Sequence, residues 1–202
     1  MKKKIAMYNF KFKTNYLIRA TLIISCLFFN YNVYSQTDIF EISRTGSIED
    51  IETLYSKDKN LINQKNEQGY TPLTIACYNG NSNVALFLAD KVEDINGNSK
   101  FGTPLMAATY KGYDKIVKIL LDNNAKTNLQ DSQGATAMHY AVLFRNYKII
   151  ELLINSNADF SIKNNVGKSA MDFAISYNDD TLNKLLNINK NWLWEKLLYY
   201  FF

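Results

Sequence analysis

A histidine can move protons or hold a metal, a thiolate can attack a carbonyl, and paired carboxylates can share acid and base work. This 202-residue chain offers few such groups. It has one histidine, His139, and two cysteines, Cys26 and Cys77. A lone histidine brings no partner set for a metal centre or a triad. The sequence holds no phosphate-cradling Gly loop, no cysteine-pair motif and no His-Glu motif. Asp179 and Asp180 are adjacent, so on a helix they point different ways. Acids favour helix starts, so this pair predicts a helix N-terminus. The expectation is a non-enzyme with no cofactor and no metal site.

The elements that hold these residues repeat. Gly69–Cys77 (GYTPLTIAC), Phe101–Thr109 (FGTPLMAAT), Gly134–Val142 (GATAMHYAV) and Gly167–Ile175 (GKSAMDFAI) align without gaps. Their hydroxyl heads are Thr71, Thr103, Thr136 and Ser169, spaced by 32, 33 and 33 residues. A threonine can cap a helix, and proline fits the first helical position because its missing N–H had no partner there. Small residues at Ala76, Ala108, Ala141 and Ala174 let this inner helix approach its neighbours closely. A second helix follows in phase: Val84-Ala85…Leu88, Ile116-Val117…Leu120, Ile149-Ile150…Leu153 and Leu182…Leu186. Its large apolar residues fill the space between layers. One unit cannot bury such a surface alone, so the units must stack.

In these heads and their period the chain resembles the ankyrin repeat family, whose units run to 33 residues around a Thr-Pro-Leu-His-x-Ala core. The resemblance covers about residues 38–189. It implies an all-α solenoid of stacked helix–turn–helix units with short hairpin-like loops. It divides the chain into a leader (1–35), an N-terminal capping repeat (36–66) and repeats at 67–99, 100–132 and 133–165. A degenerate C-terminal repeat (166–190) and an apolar segment (191–202) follow. His139 occupies the family's His position, which implies hydrogen bonds within and between repeats. Cys77 falls at a small inner-helix position and is expected to be a buried apolar side chain.

Some positions depart from the pattern. The unit before Thr103 is one residue short, and Phe101 stands where the others have Gly69, Gly134 and Gly167. That slot calls for positive φ, which a bulky side chain takes badly. Gly102 is therefore expected to move into the turn. Residues 38–55 keep a helix–Gly–helix rhythm without the Thr-Pro-Leu head and are acidic, as suits a cap. Ala170 in place of proline, with Asn183 in an apolar slot, marks the last repeat as a degenerate cap.

Stacks of this family usually bind proteins on the concave side, along the inner helices and hairpin tips. The resemblance places the residues seven and eight after each head on that groove. They are Tyr78 and Asn79, Tyr110 and Lys111, Leu143 and Phe144, then Ser176 and Tyr177. Each repeat thus supplies one aromatic, the type enriched in binding hot spots, although these rings could instead pack on neighbouring repeats. The tips add Glu67, Gln68, Tyr70 and Lys100.

Charge and leader bear on the partner and the compartment. Six basic residues and no acid precede residue 36, after which 17 basic residues face 19 acidic ones. The net formal charge of +4 therefore belongs to the leader, and the repeat region is net acidic. A nucleic-acid binder would carry a basic footprint there. Basic residues, then Ala20–Phe29, then Asn30–Ser35 are in the order of a secretory signal peptide, with a cut before Gln36. The apolar core is too short to span a bilayer. Cys26 loosely resembles a lipobox cysteine, but Arg19 leaves little apolar core before it. Cleavage would leave Cys77 as the sole cysteine and no intramolecular disulfide.

The expected function is an exported, non-catalytic protein-interaction module, periplasmic in the preferred reading, regulating or protecting an envelope protein or enzyme. A secreted effector with an external target is the alternative. No small-molecule substrate is expected. Residues 191–202 (NWLWEKLLYYFF) are too apolar to be left open as a soluble tail. Capping of the last repeat is preferred, with membrane contact through Trp192, Trp194 and Tyr199, or partner binding, as alternatives.

Overall fold

The computed structural model describes residues 38–97, 99 and 102–187. The leader, the expected cut before Gln36, Lys100, Phe101 and the apolar segment 191–202 lie outside the described residues. The described part holds ten α-helices in five pairs: α1 Ile39–Thr45 and α2 Ile48–Lys57, α3 Pro72–Asn79 and α4 Ser82–Lys91, α5 Pro104–Lys111 and α6 Asp114–Asp122, α7 Ala137–Leu143 and α8 Tyr147–Asn155, α9 Ala170–Tyr177 and α10 Asp180–Leu185. A short 3-10 turn, Lys59–Asn63, follows α2. The architecture is an all-α repeat solenoid, as the repeat pattern predicts.

Local chemistry sets the helix starts. Thr71 accepts from the Thr74 N–H at 3.2 Å, with Pro72 opening α3. Thr103 caps α5 the same way, from Met106 at 3.2 Å. Where proline is missing, a reciprocal pair takes over at α9. Ser169 accepts from the Asp172 N–H, and the Asp172 carboxylate accepts from the Ser169 N–H at 3.0 Å. Asp179 caps α10, accepting from Thr181 and Leu182, so the adjacent aspartates do mark a helix start.

The odd-numbered helices stack on one another as an inner layer, and the even-numbered helices stack behind them. Leu73, Ala76, Leu105, Ala108, Met138, Ala141 and Ala174 bury the inner interface. Val84, Leu88, Ile116, Leu120, Ile149, Leu153 and Leu182 are fully buried behind it. Each full burial of such a leucine or isoleucine is worth roughly 1.5–3 kcal/mol. Adjacent repeats are also tied by side-chain amides at repeat spacing. The Asn63 Oδ1 accepts from the Glu93 N–H, Asn96 from Lys126, and Asn128 from Asp159, at 2.8–3.0 Å. These asparagines satisfy loop N–H groups that have no helical partner.

The hairpin loops show where the short unit lost its residue. Asn66, Asp131 and Asn164 each pair their N–H with the carbonyl four residues on. The glycines of these loops, Gly69, Gly134 and Gly167, all have φ between 73° and 83°. In the short unit Ser99 pairs with Gly102, only three residues on, and Gly102 takes φ 103°. Gly102 has moved into the turn, as expected.

One core position is imperfect. The residue six after the head is Cys77, Thr109 or Val142 in the first three repeats, and all three are fully buried. The Thr109 hydroxyl has no hydrogen-bond partner among the described residues. Burying an unpaired hydroxyl costs about 1–3 kcal/mol. Thr109→Val keeps the shape and removes that cost. It should raise stability by about 1–2 kcal/mol in a thermal or urea melt. A lower melting temperature would show that the hydroxyl is paired after all.

Candidate functional site

Two of the chemistry-bearing residues are structural. His139 is 4% exposed. The Thr136 N–H lies 3.1 Å from its Nδ1, which must therefore accept. This leaves the proton on Nε2, which donates to the Lys168 carbonyl of the next repeat at 3.1 Å. The ring thus bonds within and between repeats and has no free nitrogen for catalysis. Cys77 is fully buried in the core, and burial pushes its thiol pKa up, away from the reactive thiolate. No group of three or more His, Cys, Asp or Glu among the described residues could hold a metal ion.

The inner helices carry the open surface. A groove of about 490 Å³ runs between the first hairpin and helices α1, α3, α5 and α7. Four tyrosines line it: Tyr70 from the hairpin, Tyr78 from α3, Tyr110 from α5 and Tyr140 from α7. Arg44, Gln68 and Asn79 add polar groups. Tyr140 donates to the Asp131 carboxylate at 2.5 Å. Burial first, then that bond and charge, push the Tyr140 phenol pKa up. The hydroxyl is held as a fixed donor and its ring as a fixed wall.

Of the twelve residues expected on the binding face, five line the groove, namely Gln68, Tyr70, Tyr78, Asn79 and Tyr110. Lys111, Leu143, Phe144, Ser176 and Tyr177 fall outside its lining. Tyr78 and Tyr110 are 46% and 48% exposed. Tyr110 meets Phe144 edge-on at 5.1 Å and Tyr140 at 5.8 Å. Packing on neighbouring repeats and exposure thus coexist in the same rings. Lys111 lies over the Tyr78 ring at 4.9 Å, and Arg145 over Tyr177 at 4.8 Å. Tyr177 is half-buried under that guanidinium, and Leu143 and Ser176 are exposed beside the row. Glu67 is exposed at the hairpin tip outside the groove lining.

The sequence pattern missed part of the groove lining, the residues four after each head, Ile75, Ala107 and Tyr140. These stand three and four residues before the positions singled out from sequence, hence on the same helix face. That spacing was the available signal. Arg44, from the capping repeat, was also missed because its helix lacks the aligned head.

The family model for ankyrin repeats (3 copies) matches residues 39–131 and 123–192. This chain belongs to the ankyrin repeat family. The ankyrin stack is 34% identical over 111 residues to the rat ankyrin repeat and SAM domain-containing protein 6, covering 54% of this chain and 12% of that protein. It is 36% identical over 81 residues to the human ankyrin repeat and KH domain-containing protein 1, covering 39% of this chain and 3% of the relative. The mouse ankyrin repeat and SOCS box protein 11 is 30% identical over 110 residues, 54% of this chain and 34% of that one. The chain therefore spans a minor part of these relatives, and the likeness is one of ankyrin repeats. Ankyrin repeats are a non-catalytic binding fold and act as protein–protein interaction modules. Among the described residues no helix is long and apolar enough to cross a membrane.

Proposed function

We propose that this ankyrin stack is exported and holds a protein partner in its tyrosine-lined groove, regulating or protecting an envelope protein or enzyme. The observation that carries this reading is the groove itself. Half-exposed rings from successive repeats are fixed by their neighbours before any partner arrives, which lowers the ordering cost of binding. The reading of export rests on the basic, apolar, polar order of the first 35 residues, and the periplasm is the compartment it favours. Residues Tyr78, Tyr110 and Phe144 would supply the anchor rings, with Tyr70, Gln68 and Asn79 as the polar rim.

Site-resolved crosslinking in the native cell tests this. A photoreactive phenylalanine analogue placed at Tyr110 should give a discrete protein adduct. The same analogue at Leu86, 53% exposed on outer helix α4, should not. An adduct from the outer helix alone would move the binding face away from the groove.

A further inference from the structure

We infer that the groove recognises an acidic, extended segment of a protein partner, one that alternates carboxylates with aromatic or apolar side chains. This rests on the groove being the binding face. Three observations carry the partner's chemistry.

The first is the distribution of charge. The chain from residue 36 onward is net acidic. Yet inner helices α3, α5 and α7 contain no aspartate or glutamate. The one carboxylate of α9, Asp172, is occupied by the Ser169 N–H and hydroxyl. Acids sit instead on the outer layer, at Glu49, Asp50, Asp90, Asp114, Asp122 and Glu151. At the hairpin tips Lys65, Lys163 and Lys168 outnumber Glu67 and Asp131. Asp131 is already bonded by Tyr140 and two backbone N–H groups. Inner helix α1 is the exception: its Glu41 pairs with Arg44, the one charged side chain among the described residues of the groove lining. Helices α3, α5 and α7, free of acids within an acidic protein, complement a negative partner.

The second is the state of two cations beside the aromatic row, neither of them in the groove lining itself. Lys111 and Arg145 are exposed. Among the described residues neither forms an ion pair with a carboxylate, although the Asp179 carboxyl, whose pKa is lowered first by the Tyr147 hydroxyl, also feels the Arg145 charge. Both lie over tyrosine rings, which fixes the charge in place while leaving its donors available. A cation at a helix C-terminus also complements the macrodipole, so Lys111 alone decides nothing.

The third is the backbone under Arg145. The equivalent helix-ending positions are Gly80, Gly112 and Asn178, all with positive φ. Arg145 takes φ 51° at this place, a conformation that favours glycine. An arginine held at a glycine position is a local cost, and its guanidinium ends on the aromatic row. The geometry suits a segment that seats an apolar side chain in the tyrosine groove and sets carboxylates against Lys111 and Arg145.

Titration of the full chain with a random glutamate–tyrosine copolymer, a lysine–tyrosine copolymer and poly-deoxythymidine tests the inference. The glutamate–tyrosine copolymer should bind, and added salt should weaken it. Lys111→Ala and Arg145→Gly should each weaken it about tenfold. Arg145→Gly should meanwhile melt no lower than the parent, because glycine suits the left-handed position, so a folding defect cannot mimic the result. Failure of the glutamate–tyrosine copolymer to bind overturns the acidic class. So does tighter binding of the lysine copolymer or of poly-deoxythymidine. In those cases the groove reading still stands if Tyr110→Ala weakens whichever polymer binds, or if the crosslink at Tyr110 is retained. Acidic binding that ignores Tyr110→Ala and Arg145→Gly alike overturns both readings.

Discussion

Gly134→Ala is expected to destabilise the stack by about 2–5 kcal/mol, while Gly167→Ala should cost about 1 kcal/mol. Both glycines occupy the same hairpin position with nearly the same φ, 73° and 76°. Both substitutions therefore share the left-handed cost of a Cβ. They differ in what the Cβ meets. At Gly134 it would come within 2.8 Å of the Asn165 backbone nitrogen and 3.0 Å of the Asn164 Cα. That backbone cannot move aside cheaply, because Asn165 ties the two hairpins together. Its N–H donates to the Gln133 carbonyl and its side-chain amide to Ser132, each at 2.9 Å. At Gly167 no atom lies within 4 Å of the added carbon. Urea melts of the two variants give the comparison. Equal losses would mean that the contact between hairpins is slack and that conformational cost alone governs both sites.

The same pair of glycines shows what could be read from residues and what could not. The repeat phase exposed the head, the glycine slot and the shift of Gly102, because each depends on local backbone chemistry written in one or two residue types. The inner and outer helices were legible for the same reason, as were the capping role of Asp179 and the structural role of His139. The asparagine ladder of Asn63, Asn96 and Asn128 was not recognised. Loop asparagines look like solvated polar residues until a neighbouring repeat brings an N–H to them. The left-handed Arg145 escaped notice too, because two glycines and an asparagine define that position elsewhere while arginine is an unusual occupant.

The groove was legible in part. Counting from the head residue picked out Tyr78, Tyr110 and Phe144, and the structure sets Tyr78 and Tyr110 on one groove with Phe144 against Tyr110. It did not pick out Tyr140, which contributes a wall and an anchored hydroxyl. Tyr177 belongs to the row in sequence but is covered by Arg145 in space. Such side-chain stacking depends on the distance between repeats, which no single repeat encodes.

The second large effect is on binding. If the groove holds the partner, Tyr110 and Phe144 are its anchor rings, half-exposed and in edge contact with one another. Loss of one hot-spot ring costs about 1–3 kcal/mol of binding. The rings touch, so their losses need not add. The most direct measurement is calorimetric titration of the crosslinked partner, once identified, against the parent chain, a Tyr110→Ala/Phe144→Ala double variant and a Leu86→Ala control. Affinity for the double variant should fall by about a hundredfold, roughly 2.7 kcal/mol. Its melting temperature should change little, because each ring is about half exposed, and Leu86→Ala should bind like the parent. Undiminished affinity of the double variant, or an equal loss from Leu86→Ala, would contradict the assignment of the groove as the binding surface.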